Sequence, residues 1–139
     1  MIANIFLDTN ILVYAFGEED EPKQARAKDA IEDVLRLGIG AVSAQVLNEF
    51  FYVITTRTRI KMGLQEARIA LESICALTIV EMDRHLSFRA IDICAEHRIN
   101  YWDSLILAAA ERAKCRTLLT EDFTHNRKYG LVKAINPFA

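Results

Sequence analysis

The first indication of the fold is the stretch Ile5-Phe6-Leu7-Asp8-Thr9-Asn10, in which three apolar residues run directly into an acid. A short apolar run of this kind is typical of a buried strand. The arrangement recurs at Leu118-Leu119-Thr120-Glu121-Asp122. In a parallel sheet, ligands bind in the crevice outside the carboxyl ends of the strands. We therefore expect Asp8 and Asp122 to lie at such an edge.

Strand and helix patterns alternate along the chain. The predicted strands are Asn4 to Leu7, Ala41-Val42, Thr78 to Glu81, Arg116 to Thr120 and Leu131 to Ile135. The predicted helices are Pro22 to Leu37, Ser43 to Arg57, Gln65 to Leu77, His85 to Arg98 and Trp102 to Cys115. Such alternation implies crossover connections and a mostly parallel sheet that is covered on both faces. The expected fold class is α/β, a three-layer α/β/α sandwich with a mostly parallel central sheet.

Two local signals support the helix starts. Acidic residues Glu18 to Glu21 precede Pro22, a favourable first-turn residue, and predict a solvated helix N-terminus. Ser43 is placed to cap the helix that follows it.

Length and composition predict one globular domain spanning residues 1–139. Apolar residues make up 52% of the chain and charged residues 26%, as in soluble proteins. No apolar run approaches the roughly 18 residues of a membrane span, and no basic leader is evident. The three cysteines show no CxxC spacing and are expected to be reduced, buried thiols, which predicts a cytoplasmic protein: Cys75, Cys94 and Cys115.

The charge balance limits how the chain could hold nucleic acid. A net charge of −2 and a pI of about 5.9 argue against general electrostatic attraction to a phosphate backbone. A nucleic-acid substrate would need a local basic patch. Three clusters are candidates: Arg57, Arg59 and Lys61; Arg112, Lys114 and Arg116; Arg127 and Lys128. For any one of them, an ordinary solvated helix end is the favoured explanation.

Two further acids fall on the apolar side of helical patterns. Glu49 is expected to share a helix face with Val46 and Val53. Asp103 opens a helix whose apolar stripe continues through Ile106, Leu107 and Ala110. A carboxylate in such a position is costly unless a cation or hydrogen bonds compensate it.

Each acid also has an ordinary explanation. Asp8 could cap the next helix, although Asn10 could do so equally well. Glu49 could be salt-bridged or half exposed, and Asp103 could complement a helix dipole.

Asp122 could be a turn residue, and Glu121 beside it competes for any role in binding a metal. The sequence alone hardly separates these two acids.

Taken together, four carboxylates that cannot all ionise unaided indicate a site for a divalent cation. Oxygen ligands without a set of histidines or cysteines favour Mg²⁺ or Mn²⁺ over zinc. Such ions activate water and stabilise the leaving oxygen in phosphodiester hydrolysis.

The chain resembles the PIN-domain ribonucleases, and within them the VapC-type toxins of type II toxin–antitoxin modules. The resemblance is carried by Phe6-Leu7-Asp8-Thr9-Asn10, Asn48-Glu49-Phe50, Tyr101-Trp102-Asp103-Ser104-Leu105-Ile106, Leu119-Thr120-Glu121-Asp122-Phe123 and Asn136-Pro137-Phe138. One departure is that many relatives have a His-Gly pair after the last acid, whereas here His125 is followed by Asn126.

This resemblance implies a metal-dependent endoribonuclease that uses metal-activated water, acting as a toxin inhibited by a cognate antitoxin. Asp8, Glu49 and Asp103 would bind Mg²⁺ or Mn²⁺ directly, and Asp122 would complete the site or support a second ion. The same acids would be catalytic.

An alternative is a PIN scaffold that grips RNA or a protein without cleaving it, although the intact acidic quartet counts against this. An aspartyl phosphatase would need a second Asp where Asn10 stands.

We also expect a homodimer and a peptide-binding groove. The predicted helices from Ser43 to Arg57 and from Gln65 to Leu77 carry more apolar surface than one small domain covers. The residues behind this expectation are Phe50, Phe51, Tyr52 and Ile54.

Overall fold

The computed structural model describes residues 3–17 and 21–139. The acidic residues Glu18, Glu19 and Asp20, expected to precede the first long helix, lie outside these ranges. The strands are β1 (Ile5–Leu7), β2 (Gly40–Ser43), β3 (Thr78–Val80), β4 (Thr117–Leu119), β5 (Lys128–Tyr129) and β6 (Val132–Ile135). The helices are α1 (Thr9–Phe16), α2 (Glu21–Leu37), α3 (Ala44–Thr56), α4 (Leu64–Ile74), α5 (Arg84–His97) and α6 (Tyr101–Arg112).

The strands form one sheet in the order β3-β2-β1-β4-β6-β5. Neighbouring strands are parallel except for β5 and β6. Because parallel neighbours need crossover connections, helices cover both faces of the sheet, and its strands are apolar on both sides. Every residue of β2 is buried, for example. The predicted three-layer α/β/α class is confirmed.

Two elements were not among the predicted ones. Helix α1 begins directly after β1, because Asp8 caps it by accepting a hydrogen bond from the Thr9 amide at 2.7 Å. In the sequence, this helix was visible only as the apolar run Ile11 to Phe16. Strand β5 has two residues, too few to show any periodicity.

The start of α3 agrees with its predicted cap. The Ser43 hydroxyl accepts a hydrogen bond from the Val46 amide at 3.3 Å. Helix α6 begins one residue earlier than expected, at Tyr101, because Asn100 caps it and accepts from the Asp103 amide at 2.9 Å. The cap therefore also sets the position of Asp103 in the first turn.

The loop after β4 contains a residue with left-handed backbone. Asn126 has a φ of 70°, a conformation that suits glycine and that asparagine tolerates. Asn126 thus meets a backbone requirement that the glycine of a His-Gly pair would also meet. His125 is exposed, and its Nδ1 accepts a hydrogen bond from the Asn136 amide at 2.9 Å.

The cysteines are not all buried, contrary to the expectation from the sequence. Only Cys115 is buried, whereas Cys94 is half-buried and Cys75 is exposed. None of the helices in the two described ranges combines the length and the apolar character needed to cross a membrane.

Candidate functional site

Two of the four predicted acids come from the ends of adjacent central strands. Strands β1 and β4 are parallel and pair Leu7 with Leu119. The amide of Asp8 continues this ladder, donating to the Leu119 carbonyl at 3.0 Å. Asp122 follows β4 by three residues, and its amide donates to the Thr120 hydroxyl at 3.1 Å. Asp8 and Asp122 therefore lie at the same carboxyl edge.

The other two acids reach this edge on helices. Helix α3 starts where β2 ends, and β2 is the neighbour of β1 on the other side from β4. Glu49 lies in the second turn of α3. Helix α6 carries the chain back toward the start of β4, so its first turn, with Asp103, lies at the edge where the strands end.

Hydrogen bonds from the first turn of α1 link the acids to one another. The Thr9 hydroxyl donates to Glu49 Oε2 at 3.1 Å, and Asn10 Nδ2 donates to Asp122 Oδ2 at 2.9 Å. Thr9 and Asn10 follow Asp8 directly in the chain. Three of the acids are thus connected through three consecutive residues.

The charges of the acids affect one another's pKa values. Burial raises the pKa of Asp8 to about 7, against hydrogen bonds from the Thr120 hydroxyl and the Thr9 amide that lower it. The charges of Asp122 and Glu49 contribute smaller parts of this rise. An Asp with this pKa is only partly ionised near neutral pH unless a cation compensates it.

Asp103 responds to the same neighbours. Burial is the largest cause and raises the pKa of Asp103. A hydrogen bond from Asn100 lowers this pKa, and the charges of Asp122 and Glu49 raise it. Since Asp122 and Glu49 act on both Asp8 and Asp103, the four predicted acids form one cluster in the sense that they lie within electrostatic range of one another.

The side chain of Glu121 is held by residues outside this cluster. Its Oε1 accepts from the Tyr14 hydroxyl at 2.8 Å, and its Oε2 forms an ion pair with Lys23 at 2.9 Å. Asp122 instead accepts from Asn10. Geometry separates the two acids where the sequence did not.

Three polar residues that support the acids were not identified from the sequence. Thr120 donates to Asp8 Oδ2 at 2.8 Å, Gln45 donates to Glu49 Oε1 at 2.8 Å, and Asn100 donates to Asp103 Oδ2 at 2.8 Å. Gln45 precedes Glu49 by four residues and Asn100 precedes Asp103 by three, spacings that bring side chains together on a helix. Those spacings were the available signal.

The expected burial of the helical acids is only partly correct. Glu49 is exposed rather than set within the apolar stripe, because Val46 and Phe50 turn toward the core while Glu49 lies at the rim. Asp103 is half-buried. Ser104 is fully buried because α6 is enclosed on nearly all sides.

A cleft of about 390 Å³ opens beside the acids, between α1 and α3. Its lining residues are Thr9, Asn10, Val13, Tyr14, Glu49, Val53, Arg57, Thr58, Glu121 and Asp122. The cleft is polar at the acid end and apolar along part of its length. A chain-like ligand could therefore extend from the acids along the helices.

The acids fit a hard divalent cation in chemistry but are not arranged around one. Across residues 3–17 and 21–139, no three acidic, histidine or cysteine side chains are grouped closely enough to hold a metal ion. Each carboxylate is held by its own donors instead. The donor set of the four acids consists of carboxylate oxygens without histidine or cysteine, so the residues suit Mg²⁺ or Mn²⁺.

A family model described as PIN domain matches residues 5–131. A toxin–antitoxin complex from Klebsiella pneumoniae has a TM-score of 0.69 and 22% identity, covering 97% of this chain and 98% of that one. A promoter-DNA-bound VapBC complex from Rickettsia felis has a TM-score of 0.68 and 21% identity, covering 98% and 100%. A sarcin–ricin-loop-cleaving VapC toxin from Mycobacterium tuberculosis has a TM-score of 0.66 and 16% identity, covering 86% and 90%. No curated protein matches the sequence.

Proposed function

Because the chain belongs to the PIN domain family, we propose that it is a metal-dependent endoribonuclease that hydrolyses RNA phosphodiester bonds. The observation that carries the proposal is the cluster of Asp8, Glu49, Asp103 and Asp122 at the carboxyl edge of the sheet. Carboxylates that raise one another's pKa values are costly for folding, and a cation that binds phosphate oxygens would compensate them.

In this proposal, Asp8, Glu49 and Asp103 hold Mg²⁺ or Mn²⁺, and Asp122 completes the site. A bound ion of this kind lowers the pKa of water and stabilises the leaving oxygen. The chain's own contribution is to orient the ligands. Thr120 and the Thr9 amide orient Asp8. Gln45 and the Thr9 hydroxyl orient Glu49. Asn100 orients Asp103, and Asn10 orients Asp122.

The histidines are not placed for an alternative mechanism that attacks with the RNA 2′-hydroxyl, which needs paired general catalysts. His125 is engaged with the Asn136 amide, and His97 packs edge-on against Tyr129 with ring centroids 5.5 Å apart. None of the three histidines lines the acid cleft. We therefore expect water attack and fragments with 5′-phosphate and 3′-hydroxyl ends.

We further propose that the protein is a cytoplasmic homodimeric toxin neutralised by a cognate antitoxin. The support is the fold shared with the toxin–antitoxin complexes from Klebsiella pneumoniae and Rickettsia felis. Several large apolar side chains are also exposed on α3, α4 and the segment between them: Tyr52, Ile60, Leu64 and Ile69. An antitoxin segment that packs here would cover them.

The test is RNA cleavage with purified protein in Mg²⁺ or Mn²⁺ and in excess EDTA. Asp8→Asn, Glu49→Gln and Asp103→Asn should each abolish cleavage, while Asp33→Asn on α2, paired with Arg36, should retain it. Full activity in excess EDTA would rule out the metal mechanism. Fragments with 2′,3′-cyclic phosphate ends would rule out water attack, and RNA binding without cleavage would favour the non-catalytic PIN module.

A further inference from the structure

The acid cleft extends beyond the carboxylates and ends at a cation. Val13 on α1 and Val53 on α3 form half-buried apolar walls along it. Arg57, the residue that follows α3 and caps its carboxyl end, lines the cleft at the other side of Val53. Glu49 lies two helical turns before Arg57 on the same face, since eight residues separate them. Acids and cation are therefore at different places along one cleft.

The Arg57 side chain is held in position. Its Nη2 donates to the Tyr52 hydroxyl at 3.2 Å, and its guanidinium carbon lies 5.6 Å from the centroid of the Tyr52 ring. Its backbone amide donates to the Val53 carbonyl at 2.8 Å. Within residues 3–17 and 21–139, Arg57 forms no salt bridge. The cleft thus presents a positioned positive charge that no carboxylate in the described chain neutralises.

We propose that Arg57 binds a backbone phosphate of the RNA strand, on one side of the phosphodiester that is cleaved, and so positions the strand along the cleft. This inference rests on the proposed ribonuclease function. A protein of net charge −2 has no general attraction for RNA, and the acids repel a phosphate backbone. A fixed guanidinium, which can bind two phosphate oxygens at once, offsets this repulsion at a defined point.

The apolar walls fit the same ligand. The ribose and base between two phosphates present apolar surface, and Val13 and Val53 lie between the acids and Arg57. The Tyr52 hydroxyl has a positioning role: it accepts a hydrogen bond from the Arg57 guanidinium and orients it, and it does not itself contact the RNA.

The experiment measures binding of a fluorescein-labelled single-stranded RNA by anisotropy, in excess EDTA and at several salt concentrations, together with cleavage kinetics in Mg²⁺. The variants are Arg57→Ala, Arg57→Lys and Tyr52→Phe. The matched control is Arg68→Ala on α4, which removes one positive charge from a residue paired with Glu72, away from the cleft.

Arg57→Ala should weaken RNA binding about tenfold, as expected for loss of one charge-assisted hydrogen-bonded contact. It should also reduce the slope of log affinity against log salt by about 0.7, the value for one phosphate on a single strand. The loss in cleavage should fall on KM. Arg57→Lys should keep the salt slope, Tyr52→Phe should be intermediate, and Arg68→Ala should match the parent.

Equal RNA affinity and salt slope in Arg57→Ala and Arg68→Ala would overturn the inference. Weaker binding of an antitoxin peptide by Arg57→Ala, with RNA binding unchanged, would overturn it as well and assign the cleft to a protein partner. If the parent binds RNA but never cleaves it, the proposed ribonuclease function fails, while the comparison of Arg57 with Arg68 still decides whether Arg57 contacts a phosphate.

Discussion

The Asp8 carboxylate accepts hydrogen bonds from two residues, one with each oxygen. Its Oδ1 accepts from the Thr9 amide and so caps α1, while its Oδ2 accepts from the Thr120 hydroxyl beyond β4. The sequence left capping and metal binding as equal alternatives for this residue. In the structure, the capping contact uses one oxygen and leaves the group within the acid cluster, so the two roles do not exclude each other.

The raised pKa of Asp8 predicts how the metal-free protein responds to pH. The folded state binds this proton more tightly than the unfolded state, so the contribution of Asp8 to stability is greatest below pH 4 and is lost as pH rises through about 7. This group alone contributes at most about 4 kcal/mol of loss, from a shift of about three pKa units. Urea unfolding in EDTA at several pH values should show the fall.

Asp8→Asn should flatten this profile, and the variant should be more stable than the parent at pH 8 in EDTA. Added Mg²⁺ should stabilise the parent at pH 8 far more than the variant. Parallel pH profiles for the two proteins would show that Asp8 does not cause the dependence.

Asp122 and Glu121 are adjacent acids with different surroundings, which makes them a matched pair. Asp122→Asn should lower cleavage by at least about a hundredfold, a usual cost for removing a group that stabilises the reacting charge. Glu121→Gln should stay near the parent rate, because Glu121 is engaged with Lys23 and Tyr14. Rates of RNA cleavage decide the matter, and the reverse pattern would move the fourth site position to Glu121.

Helix α3 carries both ends of the cleft, since Glu49 lies in its second turn and Arg57 at its carboxyl end. Its start is set by Ser43, the last residue of β2, whose hydroxyl caps the helix and is fully buried. The strand, the cap and the helix therefore act as one unit that delivers Glu49 to the edge of the sheet.

Ser43→Ala should lower the free energy of unfolding by about 1 kcal/mol, the usual value of a side-chain N-cap. Cleavage at low temperature should persist, because the folded helix still presents Glu49. Ser73→Ala is the control: its hydroxyl donates to the Ala70 carbonyl near the end of α4, and alanine suits a helix. Thermal unfolding measures the stability of both variants. An equal loss of stability in both would show that the Ser43 cap has no special role.

On the scale of the whole molecule, large apolar side chains are exposed on several elements, and two regions among them allow a comparison. One comprises Tyr52, Ile60, Leu64 and Ile69 near α3 and α4. The other includes Phe88 and Ile91 on α5. The expected groove drew on Phe50 and Ile54 as well, but both are buried in the core, so Leu64 and Ile69 take their place at the surface.

If antitoxin packs on the first region, Leu64→Ser and Ile69→Ser should weaken antitoxin binding, whereas Phe88→Ser and Ile91→Ser should not. All four side chains are more than half exposed, so the protein should remain folded. Calorimetric titration with the cognate antitoxin tests the assignment.

Sedimentation tests the homodimer, and a monomer at micromolar concentration, with or without antitoxin, would contradict it.

The alternation of apolar runs and helical patterns was enough to predict the sheet, its mostly parallel character and the layers of helices. The four acids could be selected from the sequence because each marks the end of a strand or breaks an apolar stripe, as Asp8 does after Leu7. Short elements were beyond reach: β5 has two residues, and α1 looked like a simple apolar run.

Contacts between residues distant in the chain were decided only by the tertiary structure. Glu121 and Asp122 are neighbours in sequence, and what separates them is Lys23 and Tyr14 on one side and Asn10 on the other. Likewise Thr120 reaches Asp8 across 112 positions, and Arg57 lines the same cleft as Asp122. Local periodicity records which face of an element is apolar, whereas the partner of a polar side chain depends on how the strands are ordered in the sheet.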